Sequence, residues 1–475
     1  MNNVNLAEGL SLAMQSGITS HSLENEKRIS VVSAAPGSGK STALLEIART
    51  LLGEADSHRI LIAAQTNNQA TDLAIKLKQK HPALRVARLV SSRLERPEEF
   101  TGDWLTSSDQ LPDDEKSIVI GTTAKLSQAL KQLIKIQVDY LLVDEAFQMS
   151  WASFMQLSSL SSNFVLIGDG GQIDPVVTVD TSRWESSKFP PHWPAPKTVA
   201  LRKTTLGNKY KEAQLNYCWR LPRNSVDYIK PFYEQLELEV LPVPNVDERV
   251  LTFTTQPSGA DIVLHNALDL SRDGSPVLVT IPDETNGTPV NADRALAKEI
   301  ALALELLLES NPTWEMKDNP KTPSGQLKLD DIAICSTKRA MNALIEHEIQ
   351  AVLKKAPLEL RNPRAANLPN FGLKVDTPER LQGLEFKVFF AVHPLSSSTN
   401  PSAFDLETGR LCVMASRHQI ALVMFSREHV LTSLDTQLPN AIQAPGMKDN
   451  VGIGHRLHRQ FLMSLSENQR VIRKS

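Results

Sequence analysis

The chain has 475 residues, with 51 Lys and Arg against 54 Asp and Glu and a formal net charge of −3. At roughly 150 residues per domain this length allows two to four domains. With 41 % apolar and 22 % charged residues, the composition supports folded cores and argues against wholesale disorder. The balance excludes a uniformly basic DNA-coating protein but leaves room for a local basic track. No apolar run approaches the roughly 18 residues of a membrane helix, and the start MNNVNLAEGL lacks the basic and apolar segments of a signal peptide. Cys218, Cys335 and Cys412 lie far apart with no C-x-x-C pair. Neither a disulfide framework nor a structural zinc site is expected, and a reducing cytoplasm is the simplest setting.

In chain order, 29–33 is a β-rich run, AAPGSGK interrupts it, and STALLEIARTLL has helical periodicity. Strands are then expected at 59–64, 84–89, 117–120, 140–143 and 164–167, with a helix near 67–79. The segment 190–196, PPHWPAP, has four prolines in seven residues and reads as an interdomain hinge. A second series follows, with strands at 276–281, 331–335, 386–392 and 420–425 and helices near 292–309 and 340–353. Strands alternating with helices imply an α/β fold on mostly parallel sheets. The expected layout is an N-terminal segment 1–28, a first lobe 29–189, a hinge 190–200, a second lobe 201–455 and a basic tail 456–475.

Three strand ends carry chemistry. The loop 34–42 matches a phosphate-binding P-loop, with Ala34 where the first glycine usually stands. Pro36, Gly37, Ser38, Gly39, Lys40, Ser41 and Thr42 are its candidate nucleotide contacts. The glycines let backbone N–H groups approach phosphate oxygens, Lys40 reaches the β- and γ-phosphates, and the Ser41 hydroxyl suits Mg²⁺. In LLVDEAFQ, two adjacent carboxylates end an apolar strand, which is unfavourable unless chemistry compensates. Asp144 is placed to hold Mg²⁺ and Glu145 to activate water. In the third strand end, GDGGQIDP, Asp169 and Gln172 are brought to the same sheet edge, where Gln172 can sense a γ-phosphate or position water; a plain tight turn is the alternative.

The P-loop, DEAxQ and GDxxQIxP in this order resemble superfamily 1 helicases, most closely the Upf-like branch. That resemblance implies two tandem RecA-like lobes with an ATP-binding cleft between them. It also assigns further residues. Within LNYCWRLPR, Arg220 matches one family arginine, and in VMASR, Arg417 matches a second; both are implied to reach the γ-phosphate. VDTPERLQGLE matches T-x-x-x-x-Q-G-x-E, giving Thr377, Gln382, Gly383 and Glu385. Residues 290–295 resemble the family's short Asn-containing helix start. Cys412 stands where Asn is usual, Ser416 where Thr is usual, and Met341 where a Gln often follows the strand at 331–335. Gln15 is near the spacing of an adenine-reading Gln.

The resemblance implies a single strand of DNA or RNA threaded over Thr66, Asn67, Thr122, Thr123 and Thr377; each is also a natural helix N-cap or turn residue. The basic residues of 201–223 and of the tail (Arg456, Arg459, Arg470, Arg473, Lys474) read either as an electrostatic track or as a solvated face and a frayed end. Trp184, Trp193 and Trp219 read as packing or as stacking platforms. The expected activity is an ATP-dependent translocase or helicase, with ATP and Mg²⁺ as cofactors, moving 5′→3′. No large insertion supplies a duplex-splitting wedge, so an accessory protein is expected to provide strand separation or targeting. The alternatives are a nucleic-acid-stimulated ATPase acting as a switch without unwinding, and a small-molecule P-loop kinase. The kinase leaves Gln382 and Arg417 without a role.

Overall fold

A computed structural model describes residues 27–474, apart from 55–56, 112–115, 177–179, 185–186, 245–247, 256–260, 284–289, 318–322, 362–367 and 437–448. The chain divides into an N-terminal unit of residues 2–170 and 174–217 and a C-terminal unit of residues 171–173 and 218–475.

The N-terminal unit is built on eight strands: β1 (Arg28–Ala34), β2 (Arg59–Ala64), β3 (Val86–Leu89), β4 (Asp103–Leu105), β5 (Ser117–Thr122), β6 (Tyr140–Val143), β7 (Asn163–Gly168) and β8 (Tyr210–Leu215). Their order across the sheet is β4-β3-β5-β2-β6-β7-β1-β8, and every pair is parallel. The strands read as continuous apolar runs because both faces are covered. Val32, Ile62, Ile120, Leu142 and Ile167 join the core of α1 (Lys40–Leu52) and α2 (Asn67–Lys80). The alternate residues Val31, Leu61, Val119, Leu141 and Leu166 face a second core with α3 (Thr123–Gln128) and the helix Trp151–Leu157. Register aligns the carboxyl ends: Ala64 sits beside Thr122, Ala63 beside Val143, Val143 beside Leu166 and Ser33 beside Gly168. The loops after β1, β2, β5, β6 and β7 therefore leave at one edge, where parallel α/β sheets bind ligands.

The C-terminal unit has a six-stranded sheet of β9 (Val277–Ile281), β10 (Ile332–Cys335), β11 (Lys374–Asp376), β12 (Phe386–Val392), β13 (His418–Arg427) and β14 (Val471–Arg473). Its order is β11-β10-β12-β13-β9-β14, again parallel throughout. Helices α4 (Arg294–Glu309) and α5 (Arg339–Lys355) pack Leu304, Leu307, Ile345 and Ile349 into the core with Val279, Ile334, Phe390 and Phe425. Two further helices, α6 (Thr408–Ala415) and α7 (Asn450–Glu467), belong to the same unit.

The expected α/β class with parallel sheets is what the chain adopts. The boundaries differ. The proline-rich stretch is no division between units: Pro194 precedes a helix, Ala195–Ala200, with proline in its first turn, a position that proline favours. Beyond it β8 pairs with β1, and Ala213 and Leu215 enter the first core, so 201–217 belong to the N-terminal unit. The basic tail is also structured. In α7, Leu457, Phe461, Leu462 and Leu465 are buried at helical spacing, and β14 closes the second sheet. Three of its five cations are paired, Arg459 with Asp435, Arg470 with Asp273, and Lys474 with Asp261 and Glu299, and the ordered helix and strand replace the frayed end. Gln15 and the rest of 1–26 lie outside the described residues.

Candidate active site

Between β1 and α1 the chain must turn tightly and present N–H groups, and two glycines make this possible: Gly37 has φ 62° and Gly39 φ 83°. Gly39 is the N-cap of α1 and Lys40 its first residue, so the helix's unpaired N–H groups open onto the loop. Pro36 and Ser38 are buried, Gly37, Gly39 and Ser41 are half-buried and Thr42 is exposed. The Ser38 Oγ is buried without a hydrogen-bond partner among the described residues.

The buried Lys40 ammonium meets two carboxylates, Glu145 Oε1 at 3.8 Å and Asp169 Oδ2 at 4.0 Å. These distances mark charge pairs rather than direct hydrogen bonds. Asp144 and Glu145 follow β6, and Asp169 follows β7. Glu145 takes left-handed backbone angles, φ 48° and ψ 46°, an uncommon conformation for a residue with a side chain. Gly168 makes the turn possible, since a Cβ there would sit 2.9 Å from the Ala146 nitrogen. Burial first, then the Glu145 charge, push the Asp144 carboxyl up to about 7, with Lys40 acting against them. Asp144 Oδ1 is buried and has no hydrogen-bond partner among the described residues. No group of three His, Cys, Asp or Glu side chains there is arranged to hold a metal. A hydroxyl and a carboxylate, Ser41 and Asp144, nevertheless suit a hard cation that takes its other oxygens from water and phosphate.

The C-terminal unit collects the remaining candidates. Arg220 donates from Nε to Glu385 Oε1 at 2.9 Å and from Nη1 to the Ser416 carbonyl at 3.3 Å. Arg417 is fully buried and donates to Ser416 Oγ at 3.1 Å and to the Leu384 carbonyl at 3.4 Å. Partial burial would raise the Glu385 carboxyl, but the Arg220 guanidinium and a hydrogen bond from Gln419 outweigh it and hold it below its ordinary value. Gln382 Nε2 donates to Gln172 Oε1 at 3.0 Å. Gly409 in α6 gives the Gln172 backbone room, because a Cβ would lie 2.7 Å from its carbonyl. Gly383, with φ 85°, supplies the turn between Gln382 and Glu385. Asp293, in the expected helix-start segment, caps α4 and forms a buried two-point pair with Arg427 at 2.6 and 2.8 Å.

Two structurally important residues are absent from the sequence-based candidates. Arg249 binds the Trp219 carbonyl at 2.7 Å, the Gln419 carbonyl at 2.9 Å and the Arg220 carbonyl, and so fixes the backbone beside both candidate arginines. Arg88 is fully buried in β3, bonds the Leu89 carbonyl at 2.6 Å and holds Asn67 Oδ1 at 3.0 Å. The signal for Arg88 was an arginine inside an apolar strand.

The nucleic-acid candidates occupy strand ends, and the hydroxyls of Thr66, Thr122 and Thr123 are engaged locally. Thr66 caps α2 in a reciprocal box with Gln69, and Thr122 caps α3 through the Lys125 N–H. Thr123 Oγ1 donates to the Ala64 carbonyl at 3.3 Å. Thr377 opens the short helix Pro378–Leu381 with no side-chain cap bond. Trp184, Trp193 and Trp219 are half-buried.

Residues 19–178 match the AAA domain family. Over 154 residues the chain is 26 % identical to the DNA replication ATP-dependent helicase/nuclease DNA2 of Saccharomyces cerevisiae, covering 31 % of this chain and 10 % of that protein. It is 29 % identical over 161 residues to the helicase/nuclease JHS1 of Arabidopsis thaliana, covering 33 % and 12 % respectively. The chain thus spans roughly a tenth of these curated relatives. Among solved structures, the arterivirus nonstructural protein 10 helicase aligns at TM-score 0.40 and 14 % identity, over 89 % of this chain and 62 % of that one. The DUF1998 helicase MrfA aligns at TM-score 0.41 and 10 % identity, over 89 % and 51 %. The matched residues, 19–178, lie in the N-terminal unit apart from 171–173, and that unit is therefore similar over that stretch to the AAA domain.

Proposed function

We propose that the chain hydrolyses ATP to drive movement along single-stranded DNA or RNA, as a superfamily 1 translocase or helicase of the DEAxQ type. The observation that carries this reading is the convergence of Lys40, Glu145 and Asp169 beside the unpartnered Asp144 oxygen, at the mouth of a P-loop. Lys40 and the N–H groups of the loop bind the β- and γ-phosphates. Mg²⁺ held by Ser41 and Asp144 would neutralise charge on the phosphate oxygens. Glu145 orients a water and accepts its proton as the water oxygen bonds to the γ-phosphorus and the bridge to ADP breaks. Arg220 and Arg417 are the cations we assign to the charge that develops on the transferring group. The Gln172–Gln382 contact is the element we assign to sensing the γ-phosphate.

On the same reading Thr66, Asn67, Thr122, Thr123 and Thr377 bear on the backbone of a single strand, without reading its sequence. Movement 5′→3′, an accessory protein and a reducing cytoplasmic setting are further parts of the proposal. The three cysteines are buried and unbridged, which suits a reducing compartment. One observation favours a second reading, an ATPase switch without unwinding. Between β3 and β5 the chain passes through β4 and a 3₁₀ turn, Ser108–Gln110, with Phe100 buried, and no larger element is present among the described residues there. Hydrolysis assayed with tailed duplexes separates the two. Strand separation supports the helicase, whereas nucleic-acid-stimulated hydrolysis without separation supports the switch.

A further inference from the structure

The proline-rich segment turns out to be a scaffold, and what it holds has no role in the chemistry above. The Trp151 N–H donates to the Trp193 carbonyl at 2.7 Å and the Ala152 N–H to the Pro191 carbonyl at 2.9 Å, which ties 190–194 to the start of the helix Trp151–Leu157. Around that junction, half-buried rings carry exposed guanidinium groups. The Arg202 guanidinium carbon lies 4.3 Å from the Phe189 ring centre and 5.4 Å from that of Trp151. The Arg183 carbon lies 4.0 Å from the Trp184 ring centre. Among the described residues neither guanidinium forms a hydrogen bond or an ion pair. Asp180, the acid that feels Arg183, is engaged by the Ser182 N–H at 2.9 Å and its hydroxyl at 3.0 Å.

A guanidinium stacked on a ring keeps its N–H edge free, and the ring restricts the side chain before any ligand arrives. Each such group presents a fork for an oxyanion. Residues 187–209 carry five Lys and Arg and no Asp or Glu, and of these Lys197 is paired with Asp174 at 2.6 Å. The helix Trp151–Leu157, which carries one of the rings, also touches α3, the helix capped by Thr122, through a Ser127–Gln156 hydrogen bond at 3.5 Å.

We propose that Arg183 and Arg202, stacked on Trp184, Phe189 and Trp151, form an additional phosphate-gripping contact for single-stranded nucleic acid. It rests on the functional reading above and extends it beyond the strand-end residues. One face of Trp184 is covered by its own arginine, so the rings present cations rather than stack bases. The contact is therefore independent of sequence and sensitive to salt.

The test is anisotropy of a labelled oligo-dT and oligo-U of about 20 nucleotides with the full chain, titrated between about 50 and 200 mM salt. The double variant Arg183→Ala/Arg202→Ala is expected to bind about tenfold more weakly and to lower the salt slope by about 1.4, two contacts at about 0.7 each on a single strand. Arg183→Lys/Arg202→Lys is expected to keep the slope while losing about threefold in affinity, since charge survives and the stacked fork does not. Unchanged melting temperatures confirm that both variants fold. Wild-type binding with an unaltered slope in the alanine variant overturns this contact alone. No oligonucleotide binding by the wild type overturns it together with the functional reading. Variant-sensitive binding of a polyglutamate peptide in place of the oligonucleotide assigns the surface to an acidic protein segment and overturns the proposal.

Discussion

Lys40 is a buried cation between two carboxylates, and its replacement should remove the attraction for phosphate and leave Glu145 and Asp169 repelling each other. Lys40→Ala is expected to lower the ATPase kcat by about a hundredfold or more, measured as phosphate release. Glu145→Gln keeps the size of the side chain and removes its basicity. It should lower kcat by about 10²–10⁴ while leaving ATP affinity nearly intact, which equilibrium binding of a labelled analogue checks. Arg417→Ala should slow turnover far more than it raises KM; equal losses in both would contradict a transition-state role. Lys40 was legible from its glycine-rich loop and Glu145 from a charge at the end of an apolar strand, whereas Arg417 was assigned through the resemblance of VMASR alone. Arg249 was not legible, because its partners are main-chain carbonyls, and a carbonyl leaves no trace in the sequence.

The elements that the sequence concealed are those with little apolar pattern. The strand β8 reads YKEAQL, buried at only three of six positions because it is a sheet edge, and β14 has three residues. In α7 a helical pattern is present but diluted by histidines and arginines, which gave it the look of a charged end. Its packing is substantial, and Phe461→Ala should destabilise the C-terminal unit by about 3–5 kcal/mol in denaturant unfolding. This helix also brings His458 against His393, with ring centres 5.3 Å apart and neither His458 nitrogen partnered among the described residues. Burial pushes His458 down to about 3, with Asp405 acting against it and His455 with it. Burial also pushes His418 down to about 3, while its Nε2 meets Ser225 Oγ at 2.6 Å. Both imidazoles are neutral in the fold but protonate below about 6.5 in the unfolded chain, which then binds more protons. Stability is therefore full above that pH and falls as pH drops from about 6.5 toward 3, by up to about 1.4 kcal/mol per unit for each histidine. His458→Leu should flatten this dependence, as measured by denaturant midpoints at a series of pH values.

At the scale of the molecule, two parallel α/β sheets were legible from alternating strands and helices, whereas the division between units was not. Prolines in 190–196 suggested a break, yet proline begins a helix as readily as it ends a strand, and here the segment braces an arginine-bearing surface. Net charge was equally uninformative, since a balance of 51 against 54 conceals residues 187–209 with five cations and no acid. Phosphate chemistry at Lys40 is proposed to be coupled to a nucleic-acid strand, and steady-state ATP hydrolysis by the full chain, titrated with single-stranded DNA and with single-stranded RNA, measures that coupling. A several-fold, saturable stimulation by at least one of them is expected, and it should disappear in Lys40→Ala. A rate indifferent to both strands, or stimulated turnover that survives Lys40→Ala, would contradict it.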